Sequence, residues 1–216
     1  MPARRSLAFV VALIAAAPAS ADAGWLLAAY VGQAWTAGST MSVERAGASE
    51  VRVDQTYASR SWQPPLYWGA RVGHTISRDG RWSVELELIH LKVYARPTAL
   101  VQRFQLSHGL NFILVNLGFE QPVHPRVTIA LRGGAGPTRP HVEATVAGMS
   151  RDEYAWGRVG LHAAFGVNVS LTSHVFLVGE VKETYTRQRL AVGSAHVAAA
   201  FATTHVIAGL GIRFPS

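Results

Sequence analysis

The sequence predicts an all-β protein: a single eight-stranded antiparallel transmembrane β-barrel of the outer-membrane type, preceded by an N-terminal signal peptide. Eight segments alternate apolar and polar residues, and the connections between them alternate in length. In the clearest segment, 158–170, all odd positions are apolar and the even ones are polar or small. One face of such a strand suits lipid and the other suits a barrel interior. A helical membrane protein is excluded, because no segment approaches the roughly 20 apolar residues that a spanning helix needs.

The first 23 residues have the features of a secretory signal. Two arginines precede an uncharged apolar stretch, residues 7–17, and small residues follow it. This pattern predicts cleavage after Ala21 or Ala23 and leaves 24–216 as the barrel domain. The apolar core of about eleven residues is a poor fit to a retained membrane helix.

The eight strands are assigned from the period-two pattern in chain order. The connections after the second, fourth and sixth strands are short and carry Asp-Gly, Pro or Thr-Ser turn residues. The other connections are long and polar, such as 37–66 and 137–157. Outer-membrane barrels have short periplasmic turns and long outer loops, so the short turns orient the barrel. The predicted strands are approximately 24–36, 66–75, 82–94, 103–119, 127–136, 158–170, 174–186 and 203–214.

Composition and the last strand indicate the partners. The chain has no cysteine, which excludes disulfides and thiolate metal sites. Its net charge is +7, but Lys and Arg are scattered singly, which disfavours nucleic acid and leaves anionic lipopolysaccharide as a suitable partner. Alternation continues to Phe214, an aromatic residue of the kind that the barrel-assembly machinery recognises, although Pro215 and Ser216 follow it. We expect a monomer in the bacterial outer membrane.

The same alternation directs charged side chains of both signs into the lumen. An eight-stranded barrel is only wide enough for side chains to fill, and buried charges are costly unless they are paired. We therefore interpret Arg71 with Glu85 or Glu87, and Glu180 with nearby bases such as Lys182, as structural pairs. The predicted lumen set is Arg71, Glu85, Glu87, Arg132, Arg158, His162, Asn168, Glu180, Lys182, His205 and Arg213.

The hairpin of the third and fourth strands contains two histidines of chemical interest. If its loop is centred near Ala99, residues whose numbers sum to about 198 face each other. This register predicts three apolar pairs on the lipid side and a pair of histidines at the level of the outer headgroups. The pairs are Val84 with Leu114, Leu86 with Phe112, Leu88 with Leu110, and His90 with His108.

The next strand adds His141 and Glu143. Odd-numbered residues of this strand face the lipid side, so both side chains are expected to approach His108. Two or three imidazoles and one carboxylate form the ligand set of a non-haem iron or similar divalent-metal site. They also suit a general base and its orienting partner. The plain alternative is a set of interfacial histidines that only contact phosphate or water. On the same face, Lys92, Tyr94 and Arg139 are candidates for binding the sugar-phosphate part of lipopolysaccharide.

Four stretches resemble a group of small proteobacterial outer-membrane barrels described as lipid A oxidases: IHLKVYA (89–95), FQLSHGLN (104–111), PHVE (140–143) and GEVKETY (179–185). The resemblance covers nearly the whole mature chain. It implies oxygen-dependent oxidation of the proximal glucosamine of lipid A to an aminogluconate unit. Because side chains cannot accept two electrons, it also implies a divalent metal ion with dioxygen.

The candidate catalytic residues are therefore His90, His108, His141 and Glu143, with His90, His108 and Glu143 as the candidate metal ligands. Two other functions fit the same features. One is a lipid A deacylase that uses a histidine and a hydroxyl such as that of Ser107. The other is a non-enzymatic barrel of the small OmpA or OmpX type, which binds lipopolysaccharide or acts as an adhesin or structural protein.

Overall fold

A computed structural model describes residues 24–215, so the predicted signal peptide lies outside the described residues. Among the described residues, no helix is both long and apolar enough to cross a membrane. The described part of the chain forms β1 (Gly24–Thr36), β2 (Ser39–Arg45), β3 (Val51–Gln55), β4 (Tyr57–Ala58), β5 (Trp68–Thr75), β6 (Trp82–Ala95), β7 (Val101–His124), β8 (Val127–Val146), β9 (Met149–Tyr154), β10 (Val159–Ser170), β11 (Val175–Val192) and β12 (Ala195–Pro215).

Eight of these strands close into an antiparallel barrel. The order is β1, β5, β6, β7, β8, β10, β11 and β12, and pairing of β12 with β1 completes the ring. Short turns follow β5, β7 and β10. At the opposite end, the connections from β1 to β5 and from β8 to β10 are long, but only residues 96–100 join β6 to β7 and only residues 193–194 join β11 to β12. The predicted eight-stranded barrel is confirmed, whereas the predicted alternation of short and long connections is wrong for these two hairpins, because strand pairing continues to their tips.

A belt of exposed apolar side chains surrounds the barrel, as a lipid-facing surface requires. At the end with the short turns it is bounded by exposed Trp25 and Trp82. At the opposite end it is bounded by exposed Trp35, Trp68 and Tyr185. The side chains between these aromatic rings include Leu27, Val72, Val84, Leu86, Leu117, Leu131, Phe165, Val181, Val206 and Leu210.

Several strands extend beyond the belt at the outer end, where long polar loops were predicted. Strand β8 continues to Val146, and β9 folds back against it through a tight turn at Ala147 and Gly148. Both turn residues have positive φ, of 51° and 79°, as a two-residue hairpin turn requires. The prediction of a loop at 137–157 is therefore wrong over most of its length, because strand pairing continues above the membrane.

The first outer connection also contains strands. Strand β2 pairs with the outer end of β12, and β3 pairs with β2. Strand β4 pairs with the outer end of β6. The segments that connect β1 to β5 thus extend the barrel wall at its outer end.

The lower and middle lumen contains the predicted charged side chains in direct contact. Glu180 accepts hydrogen bonds from Arg71 at 2.5 Å and Arg132 at 2.7 Å, and it lies 3.0 Å from the ammonium of Lys182. Lys182 also donates to Glu87. Glu180 thus contacts nearby bases as predicted, whereas Arg71 hydrogen-bonds Glu180 and lies 3.9 Å from Glu87, one of its two predicted partners. Arg158 was wrongly placed in this set, because it is exposed just before β10 begins.

Arg132 extends the charged cluster by donating to Glu85 at 2.8 Å, and Arg71 lies 4.0 Å from the same carboxylate. All of these charged side chains are nearly inaccessible to solvent. The predicted polar interior is wrong for much of the outer half of the lumen, where apolar side chains predominate beside a few buried polar ones such as Thr138, Thr186 and Gln188. The apolar side chains include Ile89, Leu91, Phe104, Leu110, Phe112, Leu114, Val142 and Phe201.

The register of the β6–β7 hairpin differs from the prediction. His90 faces Asn111, and Leu88 faces Ile113. Close to the loop, Tyr94 faces Gln105, which already shifts the predicted register by one residue. A bulge in β7 then inserts two more residues. Leu91 pairs with Leu110 and Val93 pairs with Leu106, so one residue of β6 lies opposite three residues of β7. Leu110, Phe112 and Leu114 consequently point into the lumen and not toward lipid.

We expect the barrel to conduct no ions, because a paired charge layer and an apolar layer fill its lumen in series. Purified protein in planar lipid bilayers should leave the membrane conductance at its background level. A large and stable conductance would contradict the filled lumen.

Candidate functional site

The bulge in β7 sets the position of His108. Pairing between β7 and β8 is interrupted between Gln105 and Leu110, where four residues of β7 lie opposite two of β8. Gly109 occupies the bulge with φ of 101°, a conformation that favours glycine. His108 therefore projects outward, and its side chain is 58% exposed.

His108, His141 and Glu143 form one group, which we call the histidine–glutamate group. One ligand atom from each residue lies within 4.8 Å of the others. The Nδ1 atom of His108 lies 3.2 Å from Oε1 of Glu143, and Nδ1 of His141 lies 3.7 Å from the same oxygen. The two imidazole rings meet edge to face, with centroids 4.8 Å apart. Three of the four predicted catalytic residues are thus adjacent.

Glu143 is oriented by a residue that was not predicted. Arg103 of β7 donates to its Oε2 atom. The Glu143 side chain is only 9% exposed, whereas Arg103 is half exposed. With Oε2 held by the guanidinium, Oε1 is the oxygen directed at both imidazoles.

The imidazole of His141 is enclosed by strand β9. Tyr154 packs against it edge to face at 4.4 Å, and Asp152 Oδ1 lies 3.5 Å from its Nε2 atom. Its Nδ1 atom is buried and has no hydrogen-bond partner. A buried nitrogen without a partner is uncommon and calls for an explanation such as an ion or catalysis.

His90 does not belong to the histidine–glutamate group, and its predicted pairing with His108 is wrong. Its Nδ1 atom lies 2.8 Å from the side-chain oxygen of Asn111, and its ring stacks on Trp68 at 5.9 Å. The Nε2 atom is buried without a partner. His90 therefore packs against the bulge at Gly109. The contact is so close that an added Cβ on Gly109 would lie only 2.5 Å from Nδ1 of His90.

The three predicted substrate-binding residues have different surroundings. Lys92 is 1% exposed and donates to the backbone carbonyl of Gln63 at 2.5 Å, so it does not face the outside. Tyr94 is half-buried beneath the guanidinium of Arg60.

Arg139 is exposed and lies over the rings of Tyr154 and Trp156, at 5.2 and 5.7 Å from their centroids. Trp156 is itself 68% exposed. Of the three predicted substrate-binding residues, only Arg139 forms an open basic surface beside the histidine–glutamate group.

Ser107 lies next to His108, with 3.0 Å between its hydroxyl and the imidazole. The contact is to Nδ1, which is also the nitrogen nearest to Glu143. A serine–histidine–carboxylate relay needs the hydroxyl on one ring nitrogen and the carboxylate on the other. The arrangement therefore disfavours the nucleophilic serine of a deacylase.

The residues that sequence reasoning missed, Arg103, Asp152 and Tyr154, come from the outer extensions of the strands. The Ala147-Gly148 pair between two alternating segments is the signal that predicts the β9 hairpin. Once β9 is recognised, its register brings Tyr154 opposite His141 and Asp152 opposite Glu143.

Comparison with known proteins identifies the fold. No protein-family model matches the sequence, and no curated protein is significantly similar to it. Among solved structures, the outer membrane protein OprG from Pseudomonas aeruginosa is similar with a TM-score of 0.59 and 13% identity, over 90% of this chain and 98% of OprG. The chain has the fold of a small bacterial outer-membrane barrel.

Two further structures agree with this assignment of the fold. Neisserial surface protein A has a TM-score of 0.50 and 13% identity, over 88% of this chain and 97% of its own. The outer membrane protein AlkL has a TM-score of 0.50 and 11% identity, over 96% of this chain and 98% of its own. The outer-membrane location predicted from the sequence agrees with the fold of all three.

Proposed function

We propose that this outer-membrane barrel is a lipid A-modifying enzyme that oxidises the proximal glucosamine to an aminogluconate unit at the outer leaflet. The observation that carries the proposal is the histidine–glutamate group on the outer wall of the barrel. Trp68, at the outer edge of the apolar belt, pairs with His90 on the next strand. His90 pairs in turn with Asn111, and Asn111 pairs with Arg139. The group lies beyond Arg139 in the outer part of β8, and as part of this proposal we place it at the level of lipid headgroups. The filled lumen offers a soluble substrate no comparable route.

The donor set fits a divalent metal ion. Two imidazoles and one carboxylate leave coordination positions open for a substrate and dioxygen. The buried Nδ1 atom of His141 has no partner, and Arg103 leaves one oxygen of Glu143 directed at both rings. A metal ion held by His108, His141 and Glu143 would supply, with dioxygen, the two-electron acceptor that side chains lack.

The proposed oxidation uses dioxygen as the electron acceptor. The C1 hemiacetal loses the C1 hydrogen and the hydroxyl hydrogen, as two protons and two electrons, and becomes a lactone. Dioxygen accepts the two electrons and two protons and leaves as hydrogen peroxide, and water then opens the lactone to the acid. The hydroxyl proton leaves to water or to another base within hydrogen-bond reach, because a neutral imidazole that binds a metal ion through one nitrogen carries a proton on the other. His108 is the most exposed member of the group and so the one most accessible to a lipid headgroup, and Arg139 beside it is suited to a phosphate.

We expect lipid A from cells that produce the protein to contain a species heavier by one oxygen atom. Oxidation of the hemiacetal removes two hydrogen atoms and opening of the lactone adds one water, so the gain is about 16 mass units on a dephosphorylated species. His108→Ala and His141→Ala should each abolish this gain while the barrel retains its heat-modifiable mobility. His196→Ala, in the exposed outer end of β12, is the matched histidine control and should leave the gain unchanged.

The same mass spectra distinguish the other functions. Loss of an acyl chain would identify a deacylase. An unchanged spectrum, in a host that supplies the dephosphorylated precursor, would contradict an enzyme and leave a non-enzymatic barrel. The exposed Arg139 between Tyr154 and Trp156 favours that second candidate, because a guanidinium backed by aromatic rings suits lipopolysaccharide binding without any chemistry.

A further inference from the structure

We infer that Asp152 is a positioning residue for a divalent cation in the histidine–glutamate group. It holds the proton of His141 on Nε2 and so keeps Nδ1 as the lone-pair nitrogen that faces Glu143 and His108. The inference rests on the proposed function in one respect, namely that the group binds a metal ion. It adds a fourth residue, from a hairpin that lies outside the eight-stranded wall.

The ladder between β8 and β9 brings Asp152 to the group. Glu143 pairs with Asp152, and His141 pairs with Tyr154. Side chains of directly paired residues lie on the same face of a sheet. The β9 hairpin therefore places a second carboxylate and an aromatic ring on the outward face, beside both β8 members of the group.

The two nitrogens of His141 have different surroundings. Nε2 lies 3.5 Å from Oδ1 of Asp152, whereas Nδ1 is buried, without a hydrogen-bond partner, 3.7 Å from Oε1 of Glu143. A neutral imidazole has one N–H donor and one acceptor nitrogen, and the hydrogen bond of one nitrogen sets the role of the other. Asp152 is the nearer of the two carboxylates, and a hydrogen bond from Nε2 to it would select the tautomer whose Nδ1 lone pair points into the group.

The ring of His141 cannot easily turn to exchange its nitrogens. Tyr154 contacts it edge to face on one side at 4.4 Å, and His108 does so on another at 4.8 Å.

Asp152 is 73% exposed and is free to approach Nε2. Hydrogen bonds at catalytic sites are often long without the bound ligand and tighten when it binds. Carboxylates behind a metal-binding histidine orient the ring and raise its basicity.

The first test measures the tautomer directly. Imidazole nitrogen-15 shifts of histidine-labelled barrel in detergent micelles, at a pH where imidazoles are neutral, should give the Nε2–H form for His141. The His141→Gln variant assigns the signals. Asp152→Ala should shift the population toward the Nδ1–H form, and Asp152→Asn, which retains a carbonyl acceptor, should preserve the Nε2–H form.

The second test measures metal affinity, with Co²⁺ as the probe and protein without a histidine tag. Asp152→Ala should weaken Co²⁺ binding by about 10- to 100-fold, the usual effect of removing such a partner, and Asp152→Asn should weaken it less. Glu153→Ala is the matched control, because Glu153 is exposed on the same hairpin and contacts Arg151 at 2.8 Å. Its affinity should equal that of the wild type.

The outcomes separate the two proposals. If Asp152→Ala keeps both the Nε2–H tautomer and the wild-type Co²⁺ affinity, the role of Asp152 is overturned. If the wild-type barrel binds no Co²⁺, the metal-dependent function is overturned, and the nitrogen shifts still decide whether Asp152 sets the tautomer.

Discussion

Replacing Glu180 with alanine is expected to destabilise the barrel by about 3 to 5 kcal/mol, the cost of removing one partner from a buried ion cluster. The Glu180 carboxylate contacts Arg71, Arg132 and Lys182, all of which are nearly inaccessible to solvent. Without it, three cations share the lumen with the remaining carboxylates. The midpoint of urea unfolding in detergent, followed by heat-modifiable mobility, measures the loss.

Two matched variants make this result specific. Glu180→Gln keeps the shape and an acceptor oxygen, so its loss should be smaller than that of Glu180→Ala. Glu183 lies on the same strand with its side chain outside the barrel, where its carboxylate accepts a hydrogen bond from Thr204 at 2.7 Å. Glu183→Ala should cost about 1 kcal/mol or less, the net value of one hydrogen bond. Equal midpoints for the two alanine variants would contradict a stabilising lumen cluster.

Replacing Gly109 with alanine is expected to lower the proposed lipid A oxidation about 100-fold, because a displacement of about 1 Å at a reacting group has an effect of this size. The φ of 101° at Gly109 is strained for any other residue. An added Cβ would also lie 2.5 Å from both Nδ1 of His90 and the side-chain oxygen of Asn111. The bulge must rearrange, and His108 must move with it.

The folded barrel should persist in Gly109→Ala, because the bulge lies above the charged layer of the lumen. Heat-modifiable mobility checks the fold, and Co²⁺ affinity checks the site without recourse to catalysis. Gly133→Ala is the matched control, since its added Cβ would have only the carbonyl oxygen of His162 nearby, at 3.8 Å. Wild-type activity and Co²⁺ affinity in Gly109→Ala would show that the bulge does not position His108.

The barrel strands were predictable because alternation is a local property of the chain. Strand β8 illustrates this point: its odd positions stay outward from Val127 to beyond Glu143, despite two prolines, so the outward positions of His141 and Glu143 were predicted correctly. The charged lumen pairs followed from the same parity, because both signs of charge fall on inward positions.

The β6–β7 register was not predictable from alternation. In the outer half of β7 both parities are apolar, with Leu110, Phe112 and Leu114 on one face and Ile113 and Val115 on the other. Either face could have been assigned to lipid, and a two-residue bulge leaves no apolar pattern of its own. Gly109 was its only local sign.

The candidate site was therefore predicted in part. His108 approaches His141 and Glu143 because the bulge pushes it outward. The predicted register also directed it outward, but as the partner of His90 in a regular hairpin. His90 was assigned to the site by the same register and lies outside the group. Asp152 and Arg103 were missed because their contacts depend on strand extensions above the membrane, where the outer face no longer has to be apolar.

The charged layer of the lumen has a consequence for assembly. Its members come from strands on opposite sides of the ring: Arg71 from β5, Glu87 from β6, Arg132 from β8, and Glu180 with Lys182 from β11. In an open sheet, Arg71 and Glu180 are several strands apart, so this contact forms only when the sheet curls. Before closure, Arg71 has carboxylates of the neighbouring strand β6, among them its cross-strand partner Glu87, and Glu180 has Lys182 on its own strand. Closure of the ring adds the contacts between opposite walls, so the charged layer favours the closed barrel over an open sheet.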